Sequence, residues 1–232
     1  MKSHVAVLLT TLICVSVLPL TAHAAAWERC GGPIGGLGYD VRMHPDNPDT
    51  MFVTDSFAGA FRSHDGGQNW FPINNGIDIY GGLSGDAIKV FCLTVDPINP
   101  DIVWCGLQDY LGIFKSTDGG NSWTEKTAGI DLGPAGISFR GITVDPFDSD
   151  IVYAAGEISS GTWNDSLIRG YEFDMTKGMV YKTVDGGDNW TQIWYGDNLA
   201  RYIWINPHNT NVLYVSTGIL DREAANRDTS AG

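Results

Sequence analysis

Basic residues are scarce in this chain of 232 residues: 14 Lys and Arg stand against 27 Asp and Glu, a formal charge of −13. A surface of that sign repels a phosphate backbone, and the few cations are dispersed, so nucleic acid is excluded as a partner. Cysteine is sparse too. With four cysteines and neither CxxC nor HExxH spacing, the sequence offers no disulfide framework and no zinc site, and it implies no metal and no cofactor. Helical periodicity of any length is missing after residue 26, which excludes bundles and βα units. The one long apolar run, residues 5–20, falls short of the ~20 residues that a spanning helix needs.

That run follows Lys2 and leads into small residues at 21–26, the pattern of a secretory signal peptide over residues 1–24, with an uncleaved anchor as the alternative. Cleavage would leave a secreted or periplasmic protein, free of the membrane, with Cys30, Cys92 and Cys105. Export permits disulfides. A turn centred between Ile98 and Asn99 would set Cys92 directly across from Cys105; bridge and buried free thiols both stay open.

What the chain has in quantity is repetition. Residues 63–70, 116–123 and 183–190 all read Ser/Thr-x-Asp-Gly-Gly-x-x-Trp. The constant positions are Ser63, Asp65, Gly67 and Trp70, then Ser116, Asp118, Gly120 and Trp123, then Thr183, Asp185, Gly187 and Trp190. Asp can accept backbone amides two residues on, and the Gly pair supplies positive φ, so each phrase predicts a tight hairpin turn. The Trp is expected to bury its ring beneath that turn. A second repeat runs out of phase: residues 43–53, 95–105, 144–154 and 205–215 each read as strand, Pro-containing turn, strand. Together they give four strands per unit of about 50 residues, the spacing of a β-propeller blade. The expected fold is therefore all-β: a propeller of four-stranded antiparallel blades over residues 27–232, with about three and a half blades present. A closed ring needs about 4–8 blades, so the chain is expected to be a fragment of a larger propeller.

Antiparallel order also sorts the connections. Pro turns and Asp-Gly-Gly turns should share one rim, while the exits of each second strand and the links between blades gather at the opposite mouth. Loops on a rigid scaffold carry function, so the mouth is the candidate site. It collects Asp55, Tyr110 and Glu157 from second-strand exits, and Arg140 and Arg201 from the starts of first strands near the axis. An insertion over residues 157–178 adds Trp163 and Tyr171, aromatics whose faces suit sugar rings. The two arginines either grip a carboxylate of a ligand or pair with acids in the channel.

The triple phrase resembles the Asp-box, or BNR, repeat of sialidases, xyloglucanases and sortilin-like receptors. The first unit is more specific. Trp27, a Gly-rich stretch, the His44-Pro45 turn and residues 51–63 resemble the opening blade of xyloglucanase-type endo-β-glucanases. The resemblance implies an exported glycoside hydrolase acting on a β-glucan-type polysaccharide. It implies that Asp55, matching a catalytic carboxylate, is the general base, with the second acid supplied by another propeller; the present chain alone would then be inactive. Residues 56–58 depart from the pattern by one extra residue before Gly59-Ala60. The alternative is a non-catalytic Asp-box propeller binding a protein or glycan, as photosystem II assembly factors and sortilin-like receptors do.

Overall fold

The structure, a computed structural model, describes residues 32, 38–55, 57–77, 80, 85, 87–108, 112–133, 136–158, 177–196 and 199–218. The signal-peptide segment, Tyr110, Trp163 and Tyr171 lie outside these residues. Fourteen strands and no helix make up the described residues. Blade one is β1 (Gly38–Met43), β2 (Met51–Asp55), β3 (Gly59–Ser63) and β4 (Phe71–Pro72). Blade two is β5 (Val90–Val95), β6 (Val103–Leu107), β7 (Ile113–Ser116) and β8 (Thr124–Glu125). Blade three is β9 (Ser138–Asp145), β10 (Asp148–Glu157), β11 (Gly178–Thr183) and β12 (Thr191–Gly196); β13 (Leu199–Ile205) and β14 (Leu213–Gly218) begin a fourth. Every pairing is antiparallel and sequential, and the fold is a β-propeller.

The strands alternate toward two cores, because a blade in a propeller is buried on both faces by its neighbours. Phe52, Ile73, Val103, Cys105 and Phe114 fill the seam between blades one and two, while Trp104, Phe139, Ile142, Tyr181 and Trp190 fill the seam between two and three. First strands pack on one another from blade to blade, β1 on β5, β5 on β9 and β9 on β13, which sets them innermost. Gly141 shows how closely: a Cβ there would lie 2.4 Å from the carbonyl oxygen of Arg201 on β13.

The repeated turn works somewhat differently from its sequence reading. Ser63 is the hub, its Oγ accepting the amides of Asp65 and Gly67 at 3.2 and 2.9 Å and donating to Asp65 Oδ1 at 2.8 Å. Asp65 takes the Asn69 amide four residues on, rather than two, and Asp118 and Asp185 do the same with Ser122 and Asn189. These bonds hold the Asp65 and Asp185 carboxyls at a pKa of about 2. Trp70 keeps to its own turn, donating its indole N–H to the Gly67 carbonyl at 2.9 Å. Trp123 donates its indole N–H to the Ile73 carbonyl of blade one at 2.6 Å, and Trp190 donates to Lys126 of blade two at 2.8 Å. In blades two and three the phrase is thus also an inter-blade clasp, its Trp reaching the previous repeat.

The cysteines decide between the two alternatives that the sequence left open. Val95 pairs with Val103, Leu93 with Cys105 and Cys92 with Gly106, so the turn is centred on Asn99 and the register differs by one residue from the one that would align the thiols. A one-residue slip sends a side chain to the other face of the sheet. Cys92 joins the blade-three seam, Cys105 joins the blade-one seam, and both are buried free thiols.

Candidate functional site

The two rims separate as antiparallel order requires. In each blade the Pro turn accepts from the Gly-Gly turn: Gly66 N–H to Asp49 O at 2.9 Å, Gly119 to Asp101 at 2.8 Å, Gly186 to Asp150 at 3.0 Å. At the opposite mouth, second-strand ends meet the first-strand starts: Asp55 is in register with Gly38, Leu107 with Val90, Glu157 with Ser138 and Gly218 with Leu199. Asp55 and Glu157 therefore occupy one blade position. Just inside the mouth, every first strand carries a register shift: between Gly38 and Val41, Val90 and Cys92, Phe139 and Gly141, and Ala200 and Ile203. An extra residue leaves the ladder and re-aims its side chain, which is how bulges serve sites.

Arg140 is that extra residue in blade three and Phe91 in blade two, while Asp40 and Arg201 lie within the shifted stretches of blade one and β13. Arg140 and Arg201 converge on Glu157. Arg140 Nε donates to Glu157 Oε1 at 2.6 Å, and Arg201 donates through Nε to Oε2 at 3.0 Å and through Nη2 to Oε1 at 3.5 Å. Glu157 is wholly buried, Arg140 is 8% exposed and Arg201 22%. The Arg140 guanidinium lies 4.0 Å from the Phe91 ring centroid and 5.6 Å from that of Tyr39, stacking that sets its plane before it meets the carboxylate. One carboxylate thus takes hydrogen bonds from two guanidiniums, one on its own blade and one on the next. Of the two sequence readings of these arginines, pairing with an acid is the one the geometry contains.

Asp55 is built as a turn former. Its Oδ1 accepts the amides of Phe57 and Ala58 at 2.9 and 3.1 Å, and the residue is 3% exposed. The loop is then pinned to blade two, where Ile88 N–H reaches Phe57 O at 3.1 Å and Ala58 bridges Ile88. Its extra residue is accommodated between Asp55 and Gly59, which still pair, with Gly59 at φ 89°. Phe57 projects beside it, 54% exposed.

Three mouth residues escaped sequence reasoning. Asp40 is a half-buried acid of blade one: it accepts Leu93 N–H at 3.2 Å and Arg42 Nη2 at 3.0 Å, and burial pushes its carboxyl upward against the pull of Arg42. Tyr39 and Phe91 pack ring to ring at 4.7 Å. The signal that could have found them was their repeat equivalence to the residues around Arg140, legible only once the bulge is counted. Among the described residues no group of three or more His, Cys, Asp or Glu could hold a metal.

A propeller with Asp-box clasps on one rim and paired acids and arginines at the other is the class that fold and site define. No family model matches the chain. It is 23% identical over 94% of its length to xyloglucanase Xgh74A of Acetivibrio thermocellus, and 25% identical over 58% to a xyloglucanase of a Paenibacillus species. A solved ancestral GH74 enzyme superposes with a TM-score of 0.55 at 20% identity, covering 83% of this chain and 23% of its own. In fold the protein is thus a GH74-like propeller. It spans 27% and 14% of the two curated relatives.

Proposed function

We propose that this chain supplies one wall of the cleft of an exported, xyloglucanase-like glycoside hydrolase acting on a β-glucan-type polysaccharide, with Asp55 as general base. Its likeness over residues 51–63 to the opening blade of such enzymes carries the reading, supported by the curated relatives named xyloglucanases. Asp55 stands at a second-strand end on the mouth rim, at the blade position that Glu157 fills in blade three. An inverting mechanism needs a second carboxylate about 6.5–9.5 Å away, with water between. Asp40, held by Arg42 and the Leu93 amide, is committed to the seam between blades, so the general acid comes from a second propeller. Phe57 offers an exposed face to a sugar ring, and Tyr110, Trp163 and Tyr171 are the further aromatic candidates that the sequence supplies. Glu157, Arg140 and Arg201 act on substrate through the shape they give the mouth.

The test is release of reducing ends from xyloglucan by the longer protein that carries this chain. Asp55→Asn is expected to lower kcat by a factor of at least 10² while leaving binding intact. Unchanged kcat would remove Asp55 from the mechanism. One observation favours a second reading: Asp55 Oδ1 accepts the amides of Phe57 and Ala58 and so closes its own turn, and the residue is buried, as in a propeller that only binds a glycan. Retained xyloglucan binding with no reducing ends, in wild type and variant alike, would select it. Export is tested separately by N-terminal sequencing of the mature protein, expected to begin close after residue 24.

A further inference from the structure

The loop that joins β2 to β3 combines two properties that rarely go together: its main chain is tied down throughout, yet its one large apolar side chain is left in water. Phe57 N–H and Ala58 N–H both donate to Asp55 Oδ1, at 2.9 and 3.1 Å. The Phe57 carbonyl accepts Ile88 N–H at 3.1 Å from the link that leads into blade two. Asn74, after β4, completes the frame: its Nδ2 donates to the Ala58 carbonyl at 3.1 Å and its Oδ1 accepts Ala60 N–H at 2.8 Å. Between them Gly59, at φ 89°, lies so close to Asn74 that a Cβ there would come within 2.3 Å of its side-chain oxygen.

The Phe57 ring, 54% exposed, forgoes the stabilisation that burial would give it. It belongs to the stretch 56–58, which is one residue longer than in the enzymes that the first blade resembles. With its backbone fixed on both sides, the ring has only its own side-chain torsions left to order when a ligand arrives, so stacking on it costs little entropy. The ligand that suits it is flat, uncharged and apolar on its face. A β-linked glucosyl ring is of that kind, because its equatorial hydroxyls leave C–H surfaces above and below, whereas an anionic sugar would be repelled by a chain of charge −13.

We propose that Phe57 is a preset stacking platform for one neutral β-linked glucosyl ring, placed beside Asp55 and aimed by the Asp55 and Asn74 side chains. The sugar class rests on the function proposed above; the platform rests on the loop. Phe57 therefore governs affinity for the glucan, and Asn74 is a positioning residue that acts only through it.

The test is calorimetric titration of a xyloglucan oligosaccharide into the longer protein that carries this chain. It is run in an Asp55→Asn background, whose amide oxygen still accepts the Phe57 and Ala58 amides. Phe57→Ala should weaken binding about tenfold, and Phe57→Trp should restore it. Asn74→Ala should weaken it by a smaller factor, and not at all once Phe57 is Ala. Phe147, 74% exposed on the opposite rim, is the control, and Phe147→Ala should change nothing. Absence of saturable binding, equal affinity for Phe57→Ala, failure of Phe57→Trp to restore it, an equal loss in Phe147→Ala, or an Asn74→Ala effect that persists without Phe57 would each overturn the proposal. Its fate is separable from that of the catalytic reading. Lost affinity in Phe57→Ala with kcat unchanged in Asp55→Asn keeps the platform and removes the base; unchanged affinity with lost kcat does the reverse.

Discussion

Blade one and blade three are built from the same repeat, yet they solve the same two places in opposite ways. At the mouth, Asp55 folds back to close its own turn, whereas Glu157, in register with it, is fixed from two neighbouring first strands by Arg140 and Arg201. At the clasp, Trp190 is buried at 3% exposure against blade two, whereas Trp70 is half-buried and turns its N–H to Gly67 of its own turn. A repeat position fixes where a side chain stands. Its neighbours decide what it does there.

The contrast is tested most severely at Glu157. Removing it takes a buried carboxylate from one buried and one half-buried guanidinium, and Glu157→Ala should cost about 3–5 kcal/mol. Asp55→Ala loses turn bonds at a loop and should cost about 1–2 kcal/mol. Urea unfolding of both variants with equal m-values checks this; equal losses would erase the distinction. Trp190→Ala should cost about 3–5 kcal/mol, as large core truncations do, and Trp70→Ala less than half of that. If Trp70→Ala were the more damaging, the clasp would not depend on the preceding blade.

Glycine sharpens the comparison at the inner strands. A methyl at Gly141 would meet the Arg201 carbonyl at 2.4 Å, so Gly141→Ala should cost about 1–3 kcal/mol by forcing β9 from β13. Gly38→Ala, whose Cβ would lie 3.8 Å from its nearest neighbour, should change thermal stability by less than about 0.5 kcal/mol.

The smallest effect belongs to what the blades share. Asp65 and Asp185 hold pKa values of about 2, below the ~3.9 of an unfolded Asp, so their contribution is fully present above the unfolded value and is lost as pH falls through 4 toward 2. Asp65→Asn and Asp185→Asn should flatten that part of the stability profile alike, read by chemical denaturation from pH 6 to 2.

Much of this was legible beforehand. The Asp-Gly-Gly phrases announced β3–β4, β7–β8 and β11–β12, and the Pro turns announced the hairpins on either side, because φ requirements and lost ladder donors are properties of the residues themselves. Antiparallel order then placed Asp55, Glu157, Arg140 and Arg201 at one mouth. The bulges were not legible: no single residue marks them, and they take both Arg140 and Phe91 out of their ladders. Whether Cys92 and Cys105 face each other stayed open for a similar reason, since it turns on the centre of one hairpin, which falls on Asn99.

Local chemistry written in the sequence determined the number of strands, their pairing and which turns share a rim, because turns and alternation act within about ten residues. Partnership across seams was left to the tertiary structure: the carbonyl that each tryptophan meets and the two arginines that claim Glu157 come from strands far apart in the chain. Only the packing of first strand on first strand brings such groups within hydrogen-bonding reach.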